Sequence, residues 1–312
     1  MARSRPIPDD LPLFDGLPVQ RITVGRADEA LAVHVRGRIA PGRLPLVCLA
    51  GYNRNMADFG PMLAVAAPLL GEAHPVILID LKGRGRSSDR STEAEYSTLR
   101  DASDVSAVLR ALAVDRAVLL GQGHGGQVAM ALAVERPALI AATILIDAGP
   151  VSEPRGLVRL KTTLNELQGV RGEASLKPMM RRMLALDYPA APATTIDSLI
   201  LRTHFLDARE RLQPLFDDRL LTLLDGFDLD DVLLPQWPFF DALAVAPLMM
   251  MRSQLTQQLK QETFDLMMAR RRDADAYVIE QQGSPALLDN AGDVQPITDF
   301  VKQVAMSQTL AA

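Results

Sequence analysis

Short segments that are apolar almost throughout recur along the first half of the chain, at residues 45–50, 75–80, 117–121 and 140–147. Such runs are typical of strands buried on both faces of a parallel sheet. Amphipathic stretches with helical spacing separate them, at residues 57–70, 99–112 and 127–135. This alternation predicts an α/β fold whose mostly parallel sheet is flanked by helices, with functional groups at the carboxyl ends of the strands.

The remaining pattern predicts how the chain is divided. Residues 17–24 and 30–36 alternate apolar and polar positions, as half-buried strands of a hairpin do. After Gly149 the strand pattern stops, and amphipathic helical stretches without a convincing strand continue to about Trp237. Strands at 246–252 and 276–279 and helices at 257–271 and 294–306 then resume the alternation. We predict a core domain of residues 1–148 and 238–312, with a helical cap, residues 149–237, inserted after the strand that ends at Asp147.

Composition narrows the class of protein. Of 312 residues, 48% are hydrophobic and the net charge is −5, so neither a nucleic acid nor an anionic membrane is an expected partner. The first twelve residues lack the apolar region of a signal peptide, and no apolar run is long enough to span a membrane. Four scattered histidines and one cysteine offer no metal-ligand spacing. We expect a cytoplasmic protein that binds a small molecule without a cofactor or metal; a homo-oligomer stays open.

Loops that follow the buried strands carry a family resemblance. Leu49-Ala-Gly-Tyr52 follows the first buried strand, Asp80-Leu-Lys-Gly-Arg-Gly-Arg-Ser87 follows the second, and Gly121-Gln-Gly-His-Gly-Gly126 follows the third. In order and spacing they resemble the oxyanion loop, the D-x-x-G-x-G-x-S loop and the nucleophile elbow of the α/β-hydrolase family, in particular its bacterial, capped, esterase- or lactonase-like members. The resemblance extends over nearly the whole chain and implies that fold, with the helical cap placed after the sixth strand of the family's sheet.

The same resemblance puts unusual residues at the three triad positions. Hydrolysis by a triad needs a nucleophile, a base that takes its proton and a carboxylate that orients the base. The elbow position is Gly123, the acid position is Gln257, and the base position is Gly283 or Ser284. None of these side chains performs triad chemistry.

The donors of the oxyanion hole do not depend on side chains. The resemblance gives that role to the backbone N–H groups of Tyr52 and His124, which predicts a ligand site near Gly51, Tyr52, His124 and Trp237. The first hypothesis is therefore a non-hydrolytic pseudoenzyme that binds a small, apolar or carbonyl-bearing molecule between cap and sheet.

Three alternatives use other features. An active hydrolase or other enzyme of this fold could have rebuilt its chemistry on His124, oriented by Asp147. A structural or partner-binding protein would have kept the pocket only as a vestige. Finally, Gly121-x-Gly123-x-x-Gly126 matches a dinucleotide fingerprint, with Asp147 where a ribose-binding acid would stand. The fingerprint normally follows the first strand of its domain, whereas two buried strands precede this one.

Overall fold

A computed structural model describes Arg5, Ile7, Pro8 and residues 10–26 and 29–311. Part of the segment used to predict the absence of a signal peptide, residues 1–4, 6 and 9, lies outside the described residues. The main sheet has eight strands in the order β1-β2-β4-β3-β5-β6-β9-β10. β1 pairs antiparallel with β2 and β2 antiparallel with β4, whereas the pairs from β4 to β10 are all parallel. The predicted mostly parallel sheet is thus confirmed.

The apolar runs of the sequence form the central strands. Residues 45–50, for example, contain β3, and its register against β5 joins Leu46 to Val118 and Leu49 to Gly121. The strands are β1 Gln20–Thr23, β2 Ala30–Arg36, β3 Leu46–Leu49, β4 Val76–Ile79, β5 Ala117–Gln122, β6 Ile140–Ile146, β7 His204–Leu206, β8 Leu212–Pro214, β9 Leu248–Ser253 and β10 Asp275–Ile279.

Helices cover both faces of the sheet. Successive side chains of a strand alternate between two core clusters: Cys48 packs with α1 and α10 on one face, and Val47 packs with α2, α3 and α9 on the other. The helices are α1 Gly60–Leu70, α2 Thr98–Ala111, α3 His124–Glu135, α4 Pro154–Leu167, α5 Glu173–Leu184, α6 Ala193–Leu201, α7 Arg219–Thr222, α8 Trp237–Asp241, α9 Gln261–Arg270 and α10 Ala291–Ala311.

The segment predicted as a cap contains α4 to α7, and a separate apolar cluster packs these helices together. It also contains a two-stranded hairpin, β7–β8, which the sequence pattern did not indicate. Each strand has three residues, too few to display a two-residue alternation. The hairpin turn is held by Asp207, whose carboxylate accepts hydrogen bonds from the backbone N–H groups of Arg209 and Arg211. No helix in the described part of the chain has the length and hydropathy of a membrane span.

Candidate functional site

A glycine occupies the tight turn between β5 and α3. Gly123 has φ 51° and ψ −114°, a left-handed conformation that residues with a Cβ adopt only at a cost in free energy. A Cβ placed on Gly123 would lie 2.6 Å from Oε1 of Gln258. The turn therefore has the sharp geometry of a nucleophile elbow, but it presents a neutral amide from a neighbouring loop where a nucleophile would stand.

Tyr52 and His124 line the space beside Gly123, and each has a backbone N–H group. Neither the N–H of Tyr52, in the loop after β3, nor that of His124, the first residue of α3, donates to an acceptor in the described part of the chain. The first N–H groups of a helix have no partner within it and carry the positive end of its dipole. Because α3 is 12 residues long and begins at the elbow, this spot favours a carbonyl or carboxylate oxygen.

The imidazole of His124 is fixed by a carboxylate from α2. Its Nε2 lies 2.9 Å from Oδ2 of Asp101, which is 1% exposed, and its ring makes an edge-on contact with Tyr52. The predicted pairing of His124 with Asp147 is therefore not formed. A carboxylate only accepts, so Nε2 carries the proton and Nδ1 of the neutral ring keeps a lone pair.

The charges around this pair keep His124 neutral. Burial lowers the pKa of His124, and the guanidinium groups of Arg84 and Arg90 lower it further, against the opposing hydrogen bond with Asp101. Burial alone would raise the pKa of Asp101, but Arg84, His124 and Arg90 together hold it well below its usual range. The result at neutral pH is an ionised Asp101 beside an uncharged imidazole.

Asp101 belongs to a buried group of six charged side chains, which we call the charge cluster: Lys82, Arg84, Arg90, Glu29, Asp101 and Asp104. Lys82 contacts Glu29 at 2.5 Å and Asp104 at 3.6 Å. Arg90 joins Asp104 at 2.9 Å to Asp101 at 2.6 Å, and Arg84 reaches Asp101 at 3.2 Å. Three positive and three negative groups therefore neutralise one another beneath the site.

Asp147 is occupied elsewhere. Its carboxylate accepts hydrogen bonds from the backbone N–H and Oγ of Ser253, both at 2.7 Å, and from Oγ of Ser284 at 2.5 Å. Thr256 lies 2.7 Å from the Ser284 hydroxyl and extends this cluster. Burial raises the pKa of Asp147, against the hydrogen bonds from Ser284 and Ser253. Because both of its oxygens already accept hydrogen bonds within the chain, Asp147 is poorly placed to bind a ribose.

Packing accounts for the glycine pattern that matched a dinucleotide fingerprint. A Cβ on Gly126 would collide with Ala148, and a Cβ on Gly121 would collide with the backbone of Gly125 and Gly126 in α3. These glycines allow α3 to approach the adjoining strands closely.

The other predicted residues separate into two groups. Gly51, Tyr52, Gln257 and Ser284 line the space above the elbow. Trp237 does not: its ring stacks edge-on with Phe240 at 5.8 Å and lies under the guanidinium of Arg270 at 4.9 Å. Trp237 begins a short helix that packs against α3 behind the site, so the prediction that it contacts a ligand has no support in this placement.

Two cavities meet at the elbow. The first, here the Met180 lobe, has a volume of ≈ 150 Å³ and is lined by Met180, Met183, Leu199 and Ile200 of the cap segment together with Asn53 and Arg54. The second, here the His124 lobe, has a volume of ≈ 270 Å³. Its lining residues include Tyr52, Arg84, Tyr96, Asp101, His124, Gln127, Leu157, Leu160, Leu220, Leu223, Leu224 and Phe227. Tyr52, Gly123, Asp147, Gly156, Leu160 and Gln258 line both lobes.

Two residues that shape the site were missed in the sequence. Asp101 lies on the same buried face of α2 as Val105 and Val108, and a carboxylate within an apolar helical stripe is a usable signal. Gln258 had no such signal, because it neighbours the predicted Gln257 and only the course of the loop decides which amide reaches the elbow.

A family model matches most of the chain, and curated relatives match parts of it. A sequence model of the alpha/beta hydrolase family matches residues 46–301. The uncharacterized hydrolase YugF of Bacillus subtilis is 30% identical over 129 residues, which are 41% of this chain and 44% of that protein. The 2-(acetamidomethylene)succinate hydrolase of Mesorhizobium japonicum is 28% identical over 178 residues, 57% of this chain and 58% of that protein. The chain thus matches less than two thirds of the length of these curated relatives.

Whole-chain similarity is found among solved structures. An alpha/beta hydrolase from Novosphingobium aromaticivorans superposes with a TM-score of 0.78 and 26% identity, covering 92% of this chain and 98% of that one. The structure of E-2-(acetamidomethylene)succinate hydrolase gives a TM-score of 0.72 at 22% identity, with coverage of 92% and 99%, which concerns the fold alone.

Proposed function

Because the chain belongs to the alpha/beta hydrolase family but has glycine at its elbow, we propose that it binds a small, largely apolar, carbonyl-bearing molecule without hydrolysing it. The observation that carries the proposal is the place of Gly123. Gly123 stands at the nucleophile position of the family and has no side chain. Oε1 of Gln258 lies next to that position instead. A neutral amide oxygen is too weak a nucleophile to attack an ester carbonyl, so it forms no acyl-enzyme.

The retained features support binding. The free N–H groups of Tyr52 and His124 suit one carbonyl or carboxylate oxygen. The Met180 and His124 lobes extend from that point and supply mostly apolar walls for the body of the ligand. These two open lobes also favour a ligand-binding role over a structural protein with a vestigial pocket.

A second candidate is an enzyme with rebuilt chemistry, and the bond between His124 and Asp101 is the observation that favours it. A neutral imidazole oriented by a carboxylate is the arrangement of a general base. In this candidate Asp101 takes the role predicted for Asp147, and His124 would activate water, since no side-chain nucleophile is present at Gly123.

Ester turnover separates the two candidates. Purified protein is incubated with p-nitrophenyl acetate and butyrate beside a His124→Ala variant, with an active esterase as positive control. The proposal expects wild type and variant to release nitrophenol at the same low rate, at most the roughly 10³–10⁴-fold acceleration that binding and an oxyanion hole alone provide. Robust turnover by the wild type that His124→Ala abolishes would reject the binding proposal and establish the second candidate.

Binding is measured independently by thermal shift with a series of short-chain methyl ketones. A ligand at one hundred times its Kd raises the free energy of unfolding by about 2.7 kcal/mol. A Leu160→Trp variant is the matched control because Leu160 lines both lobes, and the larger ring should fill them and suppress the shift. A shift that survives this substitution would place the ketone somewhere else.

A further inference from the structure

We infer that the His124 lobe selects neutral, apolar molecules that carry a hydroxyl group, and that this hydroxyl donates a hydrogen bond to Nδ1 of His124. The inference rests on the proposed binding function and adds to it a chemical class of ligand. A carbonyl oxygen accepts hydrogen bonds and is served by the backbone donors; a hydroxyl needs an acceptor, and the lobe provides one.

The acceptor is defined by the bond on the opposite side of the ring. Nε2 of His124 donates to Asp101, whose carboxylate is also bonded to Arg84 and Arg90. This arrangement leaves Nδ1 unprotonated. Nδ1 has no hydrogen-bond partner in the described part of the chain and is not among the buried atoms without a partner, so it stays accessible on the lobe side of the ring.

Two tyrosine hydroxyls and one guanidinium that line the lobe beside the imidazole are already paired. The Tyr52 hydroxyl donates to the carbonyl of Leu220, and the Tyr96 hydroxyl donates to Asp217. Nε of Arg84 donates to the carbonyl of Tyr52 at 2.8 Å. A ligand hydroxyl can therefore donate to Nδ1 of His124 without displacing a donor of the protein.

The walls of the lobe define the rest of the ligand. Cap residues give the lobe an apolar wall, made of Leu157, Leu160, Leu220, Leu223, Leu224 and Phe227. The charge cluster beneath the lobe is balanced, and the carboxylates of Asp147 and Glu153 in its wall are bonded within the chain. An ionic ligand would therefore lose its hydration without finding an unpaired opposite charge. A neutral molecule with one hydroxyl on an apolar body fits both conditions.

A pair of near-isosteric probes tests the inference. 4-Propylphenol and 4-propyltoluene differ by a hydroxyl and a methyl group, and their Kd values are measured by ligand-observed NMR at pH 7.5. The phenol-to-toluene preference is compared between the wild type and a His124→Phe variant, with Thr163→Val as the control because Thr163 lines only the Met180 lobe. We expect His124→Phe to reduce the preference by about 2- to 12-fold, the net contribution of one neutral hydrogen bond, and Thr163→Val to leave it unchanged.

A measurement on the wild type makes the test independent of whether His124→Phe folds. With ¹⁵N-labelled histidine, the Nδ1 resonance of His124 should move upfield as 4-propylphenol saturates the protein and stay in place with 4-propyltoluene. An unmoved resonance, an equal preference in wild type and His124→Phe, or failure of both probes to bind would each overturn the inference. Neither probe is an ester, so this test can fail independently of the ester-turnover assay that tests the proposed function.

Discussion

Replacing Gly123 with serine restores the nucleophile of the family and measures how much else has changed. Holding a residue with a Cβ at φ 51° and ψ −114° strains the backbone and lowers the protein's free energy of unfolding by about 1–3 kcal/mol. Gln258 must also move, since its Oε1 lies 2.6 Å from the new Cβ, and the end of a flexible side chain does this at little cost. For 312 residues an unfolding entropy of about 2.1 cal/mol/K per residue gives about 0.65 kcal/mol/K, so Tm should fall by about 1.5–5 °C.

The serine should remain catalytically silent. The loop that would supply its base holds Ser284, which donates to Asp147, and the acid position holds Gln257. The imidazole of His124 is turned to Asp101 through Nε2. A serine hydroxyl without a base to take its proton is a weak nucleophile at neutral pH, so p-nitrophenyl butyrate turnover should stay at the wild-type level.

Thermal unfolding and ester assays on the same preparation check both statements. Gly60→Ser is the matched control, because Gly60 has φ −54° and open space around its Cβ position, and its Tm should change by less than about 1 °C. Steady-state turnover by Gly123→Ser well above wild type would refute the reasoning about the missing base. An unchanged Tm would refute the reasoning about the backbone conformation.

Two further predictions concern buried ionisable groups. Asp101→Asn leaves Arg84 and Arg90 without a shared counter-ion, so the free energy of unfolding should fall by about 3–5 kcal/mol and Tm by about 5–8 °C. The control Asp197→Asn breaks an exposed ion pair and should lower the free energy of unfolding by less than about 1 kcal/mol. Equal losses in thermal unfolding of the two variants would contradict this prediction. Burial lowers the pKa of His204 to about 3, so the unfolded chain binds more protons at this residue below pH 6.5. The contribution of His204 to stability should therefore fall by about 2 kcal/mol between pH 8 and pH 5. In urea unfolding, His204→Phe should lose about 2 kcal/mol less than the wild type over this range, and parallel pH profiles would contradict the prediction.

The fold was predictable because its strongest signals are local. A strand buried on both faces must be apolar at every position, so β3, β4, β5 and β6 are visible as runs in the sequence, within one or two residues of their bounds. The turns at their carboxyl ends are constrained as well: a Cβ on Gly85 would collide with the carboxylate of Asp80, so that loop keeps its spacing.

The site was less predictable because its pairs are distant in sequence. His124 and Asp101 are 23 residues apart, and the choice between Asp101 and Asp147 depends on how α2 lies against α3. Asp147 instead reaches Ser253, 106 residues away, across the pairing of β6 with β9. Such partners follow from helix and sheet packing, which no local pattern encodes.

The charge cluster has a consequence for solution conditions. Mobile ions weaken interactions between exposed charges within a Debye length of about 10 Å at 0.1 M salt, but they reach buried pairs much less. Arg84 and Asp101 are each 1% exposed and Arg90 is 3% exposed. The electrostatic environment of the His124 imidazole should therefore change little with ionic strength. The affinity of the site for its ligand should be about the same at high and at low salt concentration.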